Sequence, residues 1–439
     1  MTWSLAIDVG TSFTSAAVRV EDKVVDVEFR GQSTVPSVAA VQHDGRTIVG
    51  FEAAAFASQF PERAERLPKR ALARRRSLRI GHMTVEPVTL VSALLAYVAM
   101  HAKDQHGRHN GVLERVVLTH PVQWRAATRE ALLAAARGAG LFNVELMAES
   151  VAAGRGFLAE RRVAPGGRVA VYDLGGGTFD TAVLHRTESG FSTDGSVGGN
   201  EQLGGEDFDD RLRELIAQRA AAVDADRWHA IWAATSGPDA RAQLMLRQDL
   251  VQAKEHLSIA NSTGIYTRGF STEWIVTRPE FETVIQPVVQ QTVDLLADTI
   301  DRSGVTPVEE LSAIYLTGGA SRTPLVRALL QRRFPVRIQT ADLPKLAVAR
   351  GALADLPPVP TPAPLVTTTI PGSLRVQQPT GPATSHTQRS PDNSSTTPSG
   401  SSGSGDWVAG LLMIGGGILV LLVGISLLGA IIGFLGELF

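Results

Sequence analysis

Over the first 355 positions, short apolar runs alternate with amphipathic stretches of helical period, as in an α/β body. Three places give this pattern a particular shape. The apolar run 5–7 enters Asp8, Val9, Gly10, Thr11 and Ser12 before a second apolar run begins at Phe13, which predicts strand, tight turn and strand. The design recurs at 168–184, where a strand ending in Asp173 and Leu174 meets Gly175, Gly176, Gly177 and Thr178 before Phe179 and Asp180 start the next strand. At 313–326 a strand passes through Thr317, Gly318, Gly319, Ala320, Ser321 and Arg322 into a helix opened by Pro324.

After Asp355 the pattern is lost. Residues 356–406 are rich in Pro, Ser, Thr and Gly and cannot bury enough apolar area to offset their ordering entropy, so they are expected to form a disordered linker. A flexible coil of that length spans roughly 40 Å. No charged residue appears in 407–436, and residues 408–428 would suffice as one transmembrane helix. Gly429 and Gly433 form a GxxxG step that would permit self-association. No Lys or Arg flanks the run, so flanking charge does not set its orientation.

Composition then narrows the function. With 439 residues, 44% of them hydrophobic, the chain can bury a large core. Its 42 Lys and Arg nearly balance 44 Asp and Glu, so no summed basic field draws it to nucleic acid, and none is expected as a partner. It has no cysteine, which excludes disulfides, zinc-thiolate sites and thiol nucleophiles and suits a reducing compartment. The first residues lack a basic segment, and Asp8 interrupts the apolar stretch a signal peptide needs. The expectation is a single-pass protein of the cell membrane with its folded body in the cytoplasm. His101, His106 and His109 lie close in sequence, but no i, i+4 pair with an intervening Glu supports metal ligation, and a solvated helix end accounts for them. The Arg74 to Arg76 run could touch acidic lipid headgroups at a nearby bilayer, but a solvated helix face is the usual explanation.

The two hairpins point to phosphate binding. Gly10 lets the backbone come close to an anion, Thr11 and Ser12 can donate to phosphate oxygens, and Asp8 can hold a metal through water. Taken alone this segment is equally an ordinary hairpin with an Asx-type aspartate. Three successive glycines at 175–177, however, carry an entropic cost that a plain turn does not require, so close approach of backbone to ligand is the better account. Two such hairpins facing each other could clamp a polyphosphate. The chain has no G-x-x-x-x-G-K-[ST] loop and no dinucleotide fingerprint. In the third element the glycines would let a base or ribose lie against the backbone, with Arg322 beside the ring, although taken alone this segment also reads as a generic βα turn.

Taken in order, these elements resemble the nucleotide-binding domain of the heat-shock protein 70 chaperones, within the wider actin, sugar-kinase and chaperone superfamily. Further segments carry the resemblance: residues 117–124 with Pro121 as hinge proline, Arg129 as its partner arginine, and 147–154 with Glu149 as acidic hinge. Residues 204–209, 253–258 and 276–282 are similar to motifs peculiar to these chaperones. The resemblance covers roughly residues 4 to 355. It implies an α/β, two-lobed actin-like ATPase fold of duplicated ribonuclease-H-like units over 1–355, binding ATP or ADP with Mg2+.

Carried over by position, the resemblance gives Asp8 and Asp173 to the metal and Gly10, Thr11, Ser12, Phe13 and Gly175 to Thr178 to the nucleotide. Gly204, Gly205, Glu206, Lys254, Ser258, Gly318, Gly319, Ser321 and Arg322 join the nucleotide contacts. Lys69, Glu149 and Asp180 are the catalytic candidates: Lys69 for charge developing on the γ-phosphoryl, Glu149 or Asp180 for the attacking water. For Lys69 a solvated basic face is the plainer alternative. Three positions depart from the pattern. Phe13 replaces a common tyrosine, Ser150 the proline after the hinge glutamate, and Lys345 an aspartate near the adenosine. Nothing after 355 resembles the family's peptide-binding β-sandwich and helical lid, so a refolding cycle is not expected within the chain. The leading expectation is a slow magnesium-dependent ATPase whose lobe closure is passed to an unidentified protein partner at the cytoplasmic membrane face. The rival is a non-hydrolysing nucleotide-binding membrane scaffold or an actin-like assembly protein.

Overall fold

The computed structural model describes residues 2–107, 111–160, 163–188, 191–234, 237–305 and 311–354. Internal contacts divide the chain into units of residues 1–362 and 363–439, and every described residue belongs to the first. The expected linker 356–406, the expected spanning segment 407–436 with Gly429 and Gly433, and His109 lie outside the described residues. Among the described residues no helix is long and apolar enough to cross a membrane.

Two sheets organise the unit, and they repeat one strand order. In the first, the central strand Thr2–Val9 pairs antiparallel with Phe13–Val20, which pairs antiparallel with Lys23–Asp26. On its other side Thr2–Val9 runs parallel to Val112–His120, which runs parallel to Val144–Ala148. In the second sheet, Arg168–Leu174 takes the central place, with Phe179–Arg186 and Phe191–Asn200 antiparallel on one side. Leu311–Thr317 and Ile338–Thr340 run parallel on the other. The register places Asp8 opposite Ser15 and Asp173 opposite Asp180. Both aspartates thus sit at the carboxyl end of a central strand, where open α/β sheets place their ligands.

Packing follows from these strands being buried on both faces: Leu5, Ala6, Ile7, Val169, Ala170 and Val171 are fully enclosed. Between the sheets lies a layer of small residues from two helices, Glu149–Glu160 and Ala347–Ala352. Ala152, Ala153 and Phe157 of the first helix and Val348, Ala349 and Ala352 of the second pack there against Ala6, Ala17, Val171 and Ala313 of the two sheets. The helices cross where Gly156 meets Gly351. A Cβ on Gly156 would stand 3.0 Å from the Gly351 Cα, and one on Gly351 would run into the Ala152 carbonyl oxygen.

Two further helices matter for the site. Pro68–Arg74 opens on Pro68, whose missing N–H would be unpaired there in any case, and closes on Arg75 in the left-handed region at φ 52°. Gly205–Ala233 begins with Gly204 as its N-terminal cap, and the Gly204 amide donates to Asp207 Oδ2 at 2.7 Å.

Candidate functional site

The two glycine turns stand against each other. A Cβ on Gly176 would lie 2.5 Å from Ser12 Oγ, and one on Gly177 would lie 2.7 and 2.8 Å from Thr11 Cγ2 and Oγ1. A Cβ on Gly10 would collide with the Phe13 carbonyl oxygen. Glycine is therefore required by close approach, within the first turn and between the turns. The first turn is fastened by hydroxyls: Ser37 Oγ donates to the Gly10 carbonyl and pairs with Thr14 Oγ1, each at 2.8 Å. The second is fastened by main-chain amides, Gly205 N–H donating to Gly175 O at 2.9 Å and Glu206 N–H to Gly176 O at 2.7 Å. The amides of Gly204, Gly205 and Glu206 thus turn to Asp207 and the loop carbonyls rather than outward. A Cβ on Gly204 would lie 2.6 Å from Gly177 N and 2.7 Å from Gly176 O.

Beneath the turns lies a buried ion pair. Lys69 Nζ donates to Glu149 Oε1 at 2.6 Å, and the two residues are 3% and 6% exposed, so the solvated basic face is set aside for Lys69. Three aspartates share its surroundings. Burial and the Glu149 charge push the Asp8 carboxyl up to about 6, against the pull of Lys69 and of Thr119, whose hydroxyl donates to Asp8 Oδ1 at 2.7 Å. Burial, then Glu149, Asp180 and Asp8, hold Asp173 well above the usual carboxylate range. Asp180 is held up likewise by burial and Glu149, although its Oδ1 accepts the Val122 N–H at 2.6 Å. For Lys69 burial works downward, but Glu149, Asp8 and Asp180 outweigh it and raise its pKa. Four carboxyls thus surround one ammonium, an excess of negative charge that a divalent cation would relieve. Among the described residues no three His, Cys, Asp or Glu side chains are close enough to hold a metal ion together. Ligation by water from the aspartates fits that spacing, and an all-protein cage does not.

The third turn lies against the second hairpin. Gly318, at φ 80°, lies so near the second hairpin that a Cβ there would meet the Leu174 carbonyl oxygen and stand 2.7 Å from Asp173 Oδ1. Ser321 is buried and donates to the Gly318 carbonyl at 2.7 Å. Gly319 is half-buried and Arg322 is exposed. Lys254 Nζ donates to Asp209 Oδ2 at 2.6 Å and to the Gly205 carbonyl at 2.9 Å, and Ser258 Oγ donates to the Lys254 carbonyl at 3.2 Å. Lys254 therefore braces the start of helix Gly205–Ala233, and Ser258 lies one helical turn beyond it.

Several residues at the site are not singled out by the sequence. Arg70 reaches from Pro68–Arg74 to the second turn, its guanidinium donating to Gly177 O at 3.1 Å and pairing with Glu206 Oε2 at 2.6 Å. Thr119 holds Asp8, the Val122 amide holds Asp180, and Trp124 sets its ring 5.9 Å from Lys69 Nζ. The sequence signal for Thr119 and Val122 is their place beside Pro121; for Arg70 it is only adjacency to Lys69.

Comparison with known proteins identifies the family. A family model described as "Hsp70 protein" matches residues 56–384, three quarters of the chain. The "Chaperone protein HscA" of Pectobacterium carotovorum subsp. carotovorum is 30% identical over 374 residues, covering 80% of this chain and 57% of the relative. The "Chaperone protein HscA homolog" of Azotobacter vinelandii is 30% identical over 374 residues, covering 80% and 56%. The homolog of Acidithiobacillus ferrooxidans is 30% identical over 377, covering 80% and 57%. The chain thus spans a little over half the length of the curated relatives it matches. Its mixed α/β sheets are consistent with an Hsp70 actin-like ATPase domain, and proteins of this family bind ATP or ADP with Mg2+ and hydrolyse ATP. The expected placement at a cell membrane is corrected: the matches are to HscA chaperones, and no described helix is apolar and long enough to span a bilayer. The chain belongs to the Hsp70 family.

Proposed function

We propose that this chain is a slow magnesium-dependent ATPase whose two sheet-built halves close around ATP, reopen after hydrolysis, and pass that movement to a protein partner. The observation that carries this reading is the facing of the Gly10 and Gly176 turns, one from each sheet, above the buried Lys69–Glu149 pair. The curated relatives are chaperones by name, and the partner is proposed to be a client or co-chaperone protein.

In this reading Thr11, Ser12, Gly176, Gly177 and Thr178 donate to the phosphates, while Gly175, whose N–H donates to the Thr178 carbonyl at 3.0 Å, shapes the loop and Gly10 and Gly204 keep the two turns close. Gly318, Gly319, Ser321 and Arg322 form one wall for the adenosine, with Phe13, Lys254 and Ser258 at its edges and Gly205 and Glu206 bracing the second loop. Asp8 and Asp173 would hold Mg2+ through water. A bound magnesium ion would offset the carboxylate charge of the site and that of the phosphates. Lys69 keeps its proton, because three carboxyls raise its pKa, and so offers a fixed cation to charge developing on the transferred phosphoryl. Glu149 is occupied by Lys69, which holds it in one orientation. Asp180, fixed by the Val122 amide and raised well above its ordinary pKa, is suited to orient water and take up a proton.

The test is phosphate release from ATP by the full chain with magnesium, beside Lys69→Ala. Removing a preorganised charge at the transition state costs about 100-fold or more in rate. Equal release from both proteins would sink the reading.

A further inference from the structure

Two of the departures from the resembled pattern prove to be one contact. Phe13 lies just after the first glycine turn, and Lys345 in the loop between Ile338–Thr340 and Ala347–Ala352. The Lys345 Nζ stands 4.5 Å from the centroid of the Phe13 ring. Its stem passes the third turn, with Cε 3.7 Å from where a Cβ on Gly319 would be. Glu255 Oε1, next to Lys254, lies 3.7 Å from the same ammonium. The loop that carries Lys345 is anchored on both sides: Thr317 Oγ1 donates to the Pro344 carbonyl at 3.2 Å, and Leu346 N–H to the Leu343 carbonyl at 2.9 Å.

The chemistry of the pair is selective. Phenylalanine has no hydroxyl to offer, only the negative face of its ring, which attracts an ammonium and repels a carboxylate. A lysine at 345 therefore suits a phenylalanine at 13, and an aspartate would not. The contact joins the hairpin of the first sheet to the third turn of the second. The nucleotide, on the reading proposed above, lies between those two elements.

We propose that Lys345 is a positioning residue for the nucleotide, a clasp on Phe13 that holds the first and third turns together across the cleft mouth and slows release of a nucleoside diphosphate. The inference rests on the nucleotide reading of the site. Separating the two turns breaks the contact, so its strength adds to the barrier to release rather than to the chemical step.

The experiment is stopped-flow release of a fluorescent ADP analogue from the full chain, chased with unlabelled ADP in magnesium. Lys345→Met keeps the stem and loses the charge, and release is expected to quicken about two- to five-fold. Lys345→Arg keeps the cation and should restore release to the rate of the parent protein. Phe13→Leu should match Lys345→Met, and the two combined should be no faster than either alone. If Phe13→Leu does not fold, Phe13→Trp replaces it and should slow release while Lys345 is present. Parent-like release from Lys345→Met, failure of Lys345→Arg to restore it, or additive acceleration in the pair overturns the clasp and leaves the site standing. Failure of the parent protein to bind the analogue saturably overturns the site and the clasp with it.

Discussion

The two glycine turns occupy equivalent places in two sheets of the same strand order, yet they are held in different ways. The first hangs mostly on hydroxyls, Ser37 on Gly10 and Thr119 on Asp8, with one main-chain tie from the Ser37 amide to the Ser12 carbonyl within its own sheet. The second is tied by the amides of Gly205 and Glu206 to the start of helix Gly205–Ala233, which kinks at Asp224, and by Arg70 to the helix that carries Lys69. Side-chain ties can be removed one at a time, whereas main-chain ties are touched only by changing backbone spacing. The second turn must therefore follow any movement of helix Gly205–Ala233, while the first stays with its own sheet. That asymmetry suits a cleft in which one wall is the reference and the other moves.

The strongest way to break the comparison is Gly204→Ala. Its methyl would strike the Gly176 and Gly177 backbone, which no side-chain rotation relieves, and about 2–3 kcal/mol of stability should be lost in urea unfolding. A cost below about 0.5 kcal/mol would show that the second turn yields easily and is not held by close main-chain contact.

Comparable in size is a pH effect centred on Asp8. Its folded pKa of about 6 lies above the ordinary carboxylate value, so between the two the folded chain binds a proton that the unfolded chain does not. Without magnesium or nucleotide, this contribution to stability is present at acid pH and is lost as pH rises from about 4 through about 6, an effect of about 3 kcal/mol. Asp8→Asn should flatten that part of the profile in denaturant titrations at successive pH values. An unchanged slope would mean that the Asp8 carboxyl is not strained by its burial.

The smallest effect sharpens the first turn. Ser37→Ala removes a donor to Gly10 and leaves the Thr14 hydroxyl without its partner in a buried place, at about 1 kcal/mol. Thermal unfolding should register this as a shift of a few degrees. Because the tie belongs to the first sheet, the cost should add to that of Gly204→Ala in the double variant; strong coupling would mean that the turns share a brace.

Much of the site's location is legible because it is written in local patterns. An apolar strand ending in Asp8 or Asp173 and followed by glycines and a hydroxyl can be read from a dozen residues. The repeat of strand order is not legible, since it depends on which strands pair, and Thr2–Val9 meets Val112–His120 across a hundred residues of chain. For the same reason nothing local marks Thr119 as a partner for Asp8, and Arg70 stands out only as a neighbour of Lys69. The resemblance gives Gly204, Gly205 and Glu206 to the nucleotide, and the sequence does not show that their amides donate to Asp207 and the second turn's carbonyls. Phe13 and Lys345 are each visible as departures, but nothing in sequence places two residues that far apart in contact.

The crossing of Gly156 over Gly351 has a mechanical consequence. With bare main chain on both sides there are no interlocking side chains to resist rotation at that point, but also no slack, since a single methyl on Gly351 would strike Ala152. If the two sheets move as proposed above, this close main-chain contact is the natural pivot between them, and a side chain on Gly351 would jam it.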